Sequence, residues 1–379
     1  MSLKFAVMGG SSAETEEEKG AAHLLSVAAF AGTTDKSGLR LMRELEDIGA
    51  TVSASADREK ITLDVTVLAS MAELAFERMS EAITSPPTNK VVLTDCFDGA
   101  QLAYDALATP QKKLVELLHE AAYGEGSPMG GSQLARDGNL LNLKPEAALA
   151  YRAHQFTSNN LVIASSGVRH EMLQKWTQTH LAGMAAGASS PIAATYTGGD
   201  AKMKGDFDGK THMALAFPAP ANSKPHNVLR TMIGNKLSKA AQGGEVCAFL
   251  APYASGGLWG FTASADNSAA ANKLIEAAIQ ELKAVGANTV STAELEAAKT
   301  QLTVQKSHEL ESGNATAVLL QAHLVKAAPR DSASFSKITA ADVVAAAKAS
   351  LAADVTPSWA VLGKTAGAHN FATITKHLK

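Results

Sequence analysis

Cysteine is almost missing from this sequence: Cys96 and Cys247 are the only two. Thiols so far apart make neither a disulfide framework nor a clustered thiolate site, and they fit a reducing compartment. Charge of one sign is missing too, because 34 Lys and Arg meet 37 Asp and Glu for a net charge of -3. That balance gives no electrostatic reason to expect a nucleic-acid partner. Long runs of large apolar residues are also absent. The uncharged stretches His180–Gly199 and Val246–Ala265 reach membrane-spanning length, but Ala, Gly, Ser and Pro fill them where Leu, Ile and Phe would be needed to cross a bilayer. Met1–Gly10 has one basic residue and no apolar core of signal length, so no secretory or transit peptide is legible. What is present is ordinary globular composition, 46% hydrophobic and 19% charged over 379 residues. This length calls for two domains, and the composition excludes disorder, collagen and coiled coil.

The periodicity describes one unit written twice. In the first half, Leu3–Val7 reads as a strand, and Thr15–Glu18 has the form of a capping box opening a helix. Leu41, Met42, Leu45 and Ile48 repeat at helical spacing up to Gly49, which suits a left-handed C-terminal cap. Thr51–Ala56 and Ile61–Leu68 read as strands on either side of the charged turn Asp57–Lys60. A second capping box, Ser70–Glu73, precedes a helix that Pro86-Pro87 ends. Helix then occupies most of 91–123 and all of 145–156, and Leu161–Ala164 is a short apolar strand.

The second half repeats the order. Met213–Phe217 reads as a strand, Val228–Ala240 as a helix, Leu258–Ala263 as a strand and Ala269–Val285 as a helix. The capping box Ser291–Glu294 opens helix through much of 295–326, and the helix Ala340–Leu351 precedes the strand Trp359–Leu362. Residues 183–210 are rich in Ala, Gly, Ser and Thr, as a connecting segment is. The pattern predicts an α+β protein with domains at 1–190 and 211–379, a linker at 191–210, and in each domain a mostly antiparallel sheet with helices packed on one face.

Most chemical motifs fail on inspection. Gly205–Thr211 resembles a phosphate loop but is one residue short between its glycines and is followed by a strand, so it reads as a polar turn. Gly256–Gly260 lacks the strand-to-helix context of a dinucleotide fingerprint. Glu116 and His119 lie three apart as di-iron ligands do, yet no second pair of that type accompanies them. There is no nucleophile elbow, and the eleven histidines are scattered without the two-His spacing of a zinc helix.

The segment from Gly20 to Thr33 carries the strongest signal. It resembles the zinc helix of the pitrilysin and mitochondrial processing peptidase family, an H-x-x-E-H pattern between a small-residue start and a Phe-x-Gly-Thr end. His23 matches the first histidine, while Ser26 and Val27 stand where that family has its glutamate base and second histidine. The third ligand is a later glutamate, and no glutamate occurs between Glu81 and Glu116. The likeness extends through Glu46–Thr51, Leu118–Tyr123, His154–His170 and Gly257–Phe261, hence over almost the whole chain.

What the resemblance implies is a non-peptidase member, with no catalytic, cofactor-binding or metal residue of its own. Such members scaffold respiratory complex III beside a core protein 1-like subunit, cytochrome b, cytochrome c and the Rieske iron-sulfur subunit. They lie peripherally on the matrix side of the mitochondrial inner membrane. The same resemblance allows a second role, the non-catalytic α subunit of the processing peptidase. That subunit binds presequences through a long glycine-rich loop whose counterpart here, Leu229–Glu245, holds only Gly234, Gly243 and Gly244.

Overall fold

The computed structural model describes residues 1–86, 90–107, 109–133, 139–187, 195–221, 223–240, 244–311, 316–317, 319–320 and 335–379. The chain divides into two compact units. The first is Met1–Leu107 with Ser132–Ile192 and His308–Leu324; the second is Ala108–Gly131 with Ala193–Ser307 and Val325–Lys379.

The sheet of the first unit contains β1 (Ser2–Met8), β2 (Thr51–Ala56), β3 (Lys60–Thr66) and β4 (Leu161–Ser166), all antiparallel in the order β2-β3-β1-β4. Its helices are α1 (Ala21–Val27), α2 (Gly38–Asp47), α3 (Ala72–Thr84), α4 (Lys90–Leu107), the short α6 (Asn139–Asn142), α7 (Pro145–Gln155) and α8 (His170–His180). Leu3, Phe5, Leu63, Phe76, Tyr151 and Trp176 fill the core that α1, α3, α7 and α8 make with this sheet. Phe76 is its hinge pin, with ring centroids 5.1 Å from Phe5 and 5.7 Å from Trp176. On the opposite face, the small Ala6 and Ala164 receive Leu320.

The second unit begins with α5 (Pro110–Tyr123) and has β5 (Gly199–Lys204), β6 (Thr211–Ala219), β7 (Gly244–Pro252), β8 (Gly257–Ala265) and β9 (Ser358–Gly363), ordered β5-β9-β6-β8-β7. Only the β5–β9 pair is parallel. The helices α9 (Lys224–Ala240), α10 (Ser268–Gly286), α11 (Thr292–Glu311, up to Ser307), α12 (Ala340–Ser350) and α13 (Phe371–Leu378) complete it. Large side chains alternate with small ones along β6. Met213, Leu215 and Phe217 face the main core with Trp259, Phe261, Trp359 and Ile275. Ala214 and Ala216, with Ala360 and Leu362, meet Leu114, Leu117 and Leu118 of α5 on the other side. The continuous apolar run in β6 therefore reflects burial on both faces.

The fold class agrees with expectation, an α+β protein with two largely antiparallel sheets, but the second sheet carries helices on both faces, because α5 covers Ala214 and Ala216 opposite the main core. Several local expectations are corrected. Thr15 and Glu18 do bond, with the backbone N and Oγ1 of Thr15 donating to Glu18 Oε2 at 3.1 and 3.0 Å, but the box closes a turn; the helix starts only at Ala21. No side chain caps α3, because a short 3₁₀ turn at Ala69–Met71 leads into it where Ser70 was expected to cap. Within 191–210, Gly199–Lys204 forms β5; its alternating burial was masked by Gly, Asp and Lys. β7, α8 and α13 carried no clear periodic signal, and the structure supplies them. Pro87, residues 191–194 and much of 312–326 lie outside the described residues.

Candidate functional site

α1 holds the residues that resemble a zinc helix. Gly20 opens it at φ 94°, a left-handed conformation that favours glycine. His23 is 4% exposed, and its Nε2–H donates to the carbonyl of Ala100 on α4 at 3.0 Å. A carbonyl only accepts, so that nitrogen carries its proton and cannot also hold a metal. Ser26 Oγ donates to the carbonyl of His23 at 2.7 Å, one turn back on its own helix. Val27 packs on the partly buried hydrophobic margin of the core, 3.5 Å from where a Cβ on Gly99 would stand. One occupied imidazole, a back-bonded hydroxyl and an isopropyl group do not fit a zinc ion, which needs about three protein donors and a base for its water.

The frame around those positions is built for packing. Gly32 has φ 137°, and a Cβ there would come within 2.9 Å of the Lys36 carbonyl, so the tight return after α1 demands glycine. Thr33 Oγ1 donates to Glu81 Oε1 at 3.1 Å and accepts from the Lys36 backbone N–H at 3.1 Å. Lys36 then bridges Glu44 and Glu81 at 2.9 and 2.8 Å. Burial works against its charge, but those two carboxylates hold the ammonium above its ordinary pKa.

Sequence reasoning missed Glu14. Its two carboxylate oxygens accept from the backbone N–H groups of Gly20 at 2.9 Å and Ala22 at 2.8 Å, so a residue six positions upstream caps α1. Burial pushes this carboxyl up to about 8 against the pull of those two donors. The clue was the missing cap: Gly20 has no side chain to serve the first turn of α1.

The other candidates take structural parts. His119, fully buried on α5, donates from Nδ1 to the Val115 carbonyl at 2.7 Å and accepts at Nε2 from the Tyr253 hydroxyl at 2.6 Å. The polar turn before β6 is closed by Asp206, which accepts from the Gly209 N–H at 3.0 Å, and by Asp208, which accepts from Lys210 N–H and His212 Nε2 at 3.0 Å each. Gly260 pairs β8 with β6 so closely that a Cβ there would lie 2.0 Å from the Leu215 carbonyl.

The family described as "Insulinase (Peptidase family M16)" matches residues 2–132, and "Peptidase M16 inactive domain" matches residues 142–302. The chain belongs to peptidase family M16. Among M16 relatives, the mitochondrial-processing peptidase subunit alpha of Solanum tuberosum is 30% identical over 245 residues, 62% of this chain and 47% of that protein. The probable subunit alpha-1 of Arabidopsis thaliana is 29% identical over 322 residues, 76% of this chain and 62% of that protein. Cytochrome b-c1 complex subunit 2 of Mus musculus is 26% identical over 321 residues, 78% of this chain and 69% of that protein. The matched region thus spans about half to two thirds of the length of these plant relatives. One chain of the solved structure described as "Complex III2 from Candida albicans, Inz-5 bound" superposes with a TM-score of 0.83 at 18% identity, covering 100% of this chain and 94% of that one. That likeness is one of fold. Among the described residues, no helix is long and apolar enough to cross a membrane.

Proposed function

We propose that this chain is a core subunit of mitochondrial respiratory complex III, of the core protein 2 type, which scaffolds and does no chemistry of its own. The observation that carries the reading is the state of α1. The M16 frame persists, from Gly20 to the Thr33–Glu81 knot, while Nε2 of the imidazole is committed to a backbone carbonyl and Ser26 and Val27 stand at the positions of the family's base and second histidine. Kinship with the mouse b-c1 subunit and the fold shared with a complex III chain support it. On this reading the chain is two degenerate peptidase-like domains, expected at 1–190 and 211–379, with α5 and the β5 strand of the expected linker 191–210 counted in the second. The partners are a core protein 1-like subunit, with cytochrome b, cytochrome c and the Rieske subunit in the same complex, at the matrix face of the inner membrane.

The potato and Arabidopsis relatives favour a second reading, the presequence-binding α subunit of the processing peptidase. Against it stands the segment where that subunit carries its glycine-rich loop. Here α9 continues to Ala240 and β7 begins at Gly244, so only three residues separate helix from strand. Native electrophoresis of detergent-solubilised mitochondrial membranes tests the choice. Co-migration with cytochrome b and a core protein 1-like subunit is expected. Recovery only as a soluble heterodimer that cleaves presequences would overturn the proposal in favour of the second reading.

A further inference from the structure

Three side chains come together on the second unit. His369 follows β9, His377 lies near the end of α13 and Glu276 is on α10. Their candidate ligand atoms all lie within 4.8 Å of one another. His369 Nε2 is 2.6 Å from Glu276 Oε1, and the two imidazole centroids are 5.5 Å apart, tilted by 31°. We propose that Glu276, His369 and His377 form a binding site for a divalent transition metal of the zinc class, which ties α13 to α10.

The donor set selects the ion. Two imidazoles and one carboxylate suit zinc and its neighbours, whereas magnesium and calcium need a shell of oxygens. Metal–donor bonds of about 2.0–2.2 Å put tetrahedral donors roughly 3.4 Å apart, so the His369–Glu276 pair, now at 2.6 Å, must open slightly while any wider pair closes from at most 4.8 Å. Rotation about the side-chain bonds of half-buried Glu276 and exposed His377 provides that movement. His369 is the fixed member. Its backbone N–H donates to Asn272 Oδ1 at 3.0 Å and its carbonyl accepts from Trp359 Nε1 at 3.2 Å. Asn272 is 9% exposed and Trp359 fully buried, so the core sets where the ring stands. α13 is fixed as well, through fully buried Ile374 and the cap in which Asn370 Oδ1 accepts from the Thr373 N–H at 2.8 Å. The metal takes Nε2 of His369 from the hydrogen bond with Glu276 and releases the proton those atoms share. The fourth position opens to water.

This inference does not rest on the core-subunit reading. The test is equilibrium dialysis of the chelator-stripped full chain against zinc, with His377→Ala, His369→Ala, Glu276→Gln and, as a control, His23→Ala. We expect one saturable zinc per wild-type chain, affinity at least about 10-fold weaker in each variant of the trio, and no change in His23→Ala. Zinc should raise the thermal midpoint of the wild type but not of His377→Ala, whose exposed side chain can be removed without disturbing the fold. Absence of saturable uptake by the folded wild type would overturn the site, as would uptake unaltered by both histidine substitutions. Uptake lost only in His23→Ala would overturn it too, and would place the ion on α1, which refutes the non-catalytic reading separately.

Discussion

His23 and His226 occupy the third position of equivalent helices, α1 after β1 and α9 after β6, and each is 4% exposed. In the first unit the imidazole donates across to the Ala100 carbonyl of α4. In the second, Nδ1 bonds the Ser223 hydroxyl and the ring stands edge-on to Trp259 at 5.6 Å between centroids. The helix ends differ correspondingly. A remote carboxylate, Glu14, caps α1, whereas Ser223 sits directly before α9, with its Oγ accepting from the His226 N–H at 3.4 Å. A buried histidine at the head of this helix is thus a packing device in both repeats. The imidazole that resembles a zinc ligand therefore has a twin, at the same helix position of the second unit, that belongs to no metal motif.

The largest test of this comparison removes the shelf under His226. Trp259→Ala should cost the second unit about 3–5 kcal/mol, as large aromatic truncations in cores do. Phe76→Ala should do the same to the first unit. Trp176 lies in the first unit and Trp259 and Trp359 in the second, so urea unfolding followed by tryptophan fluorescence in a Trp176→Phe background reads the second unit alone. Equal losses in both units for either substitution would show that the two cores unfold as one.

Next in size is a contrast in pH. Burial drives His226 down to about 4, below its unfolded value of 6.5. Its contribution is therefore complete above pH 6.5 and lost as the pH falls toward 4, by up to roughly 3 kcal/mol. Glu14 has the opposite sign. Raised from 4.5 to about 8, it contributes fully below pH 4.5, and that contribution is lost as the pH rises through 8. Acid unfolding of the second unit should lose its slope between pH 6.5 and 4 in His226→Gln. Alkaline softening of the first unit should flatten in Glu14→Gln, measured by hydrogen exchange in α1. Matching slopes in both units would break the comparison.

Removing the α1 cap altogether, Glu14→Ala, should cost about 1–2 kcal/mol, the range of helix N-cap losses. Protection from amide exchange should fall at Ala21 and Ala22 and leave α9 unchanged. The smallest effect separates two ion-pair networks. Lys36 is shared by Glu44 and Glu81 with little exposure, while Lys236 meets Glu281 at 3.5 Å and Glu294 at 3.2 Å nearer the solvent. Lys236→Met should cost less than about 1 kcal/mol and vanish in high salt, and Lys36→Met should cost more and resist salt, both read by urea midpoints.

Much of the molecule was legible from residue order. Alternation in Ile61–Leu68, which the structure forms as the strand Lys60–Thr66, the helical spacing of Leu41 and Leu45 with Gly49 at φ 68°, and the repeated order of elements were all readable in this way. Ser26 and Val27, standing where the resemblance puts a base and a second histidine, were read from residue order in the same way.

Contacts between distant segments were out of reach for the sequence. That β6 is buried on both faces depends on α5, some 90 residues earlier, filling the space over Ala214 and Ala216. β7 and β5 are strands because neighbours pair with them, which their own side chains do not announce. Glu14 became a cap only when the turn at 15–20 brought it back to the open N–H groups of α1, and Glu276 met His369 and His377 only when α13 closed on α10. Periodicity and composition record what each segment buries. Which group satisfies a given donor or stands beside a given imidazole is decided by packing across the fold, where separation in sequence no longer measures distance.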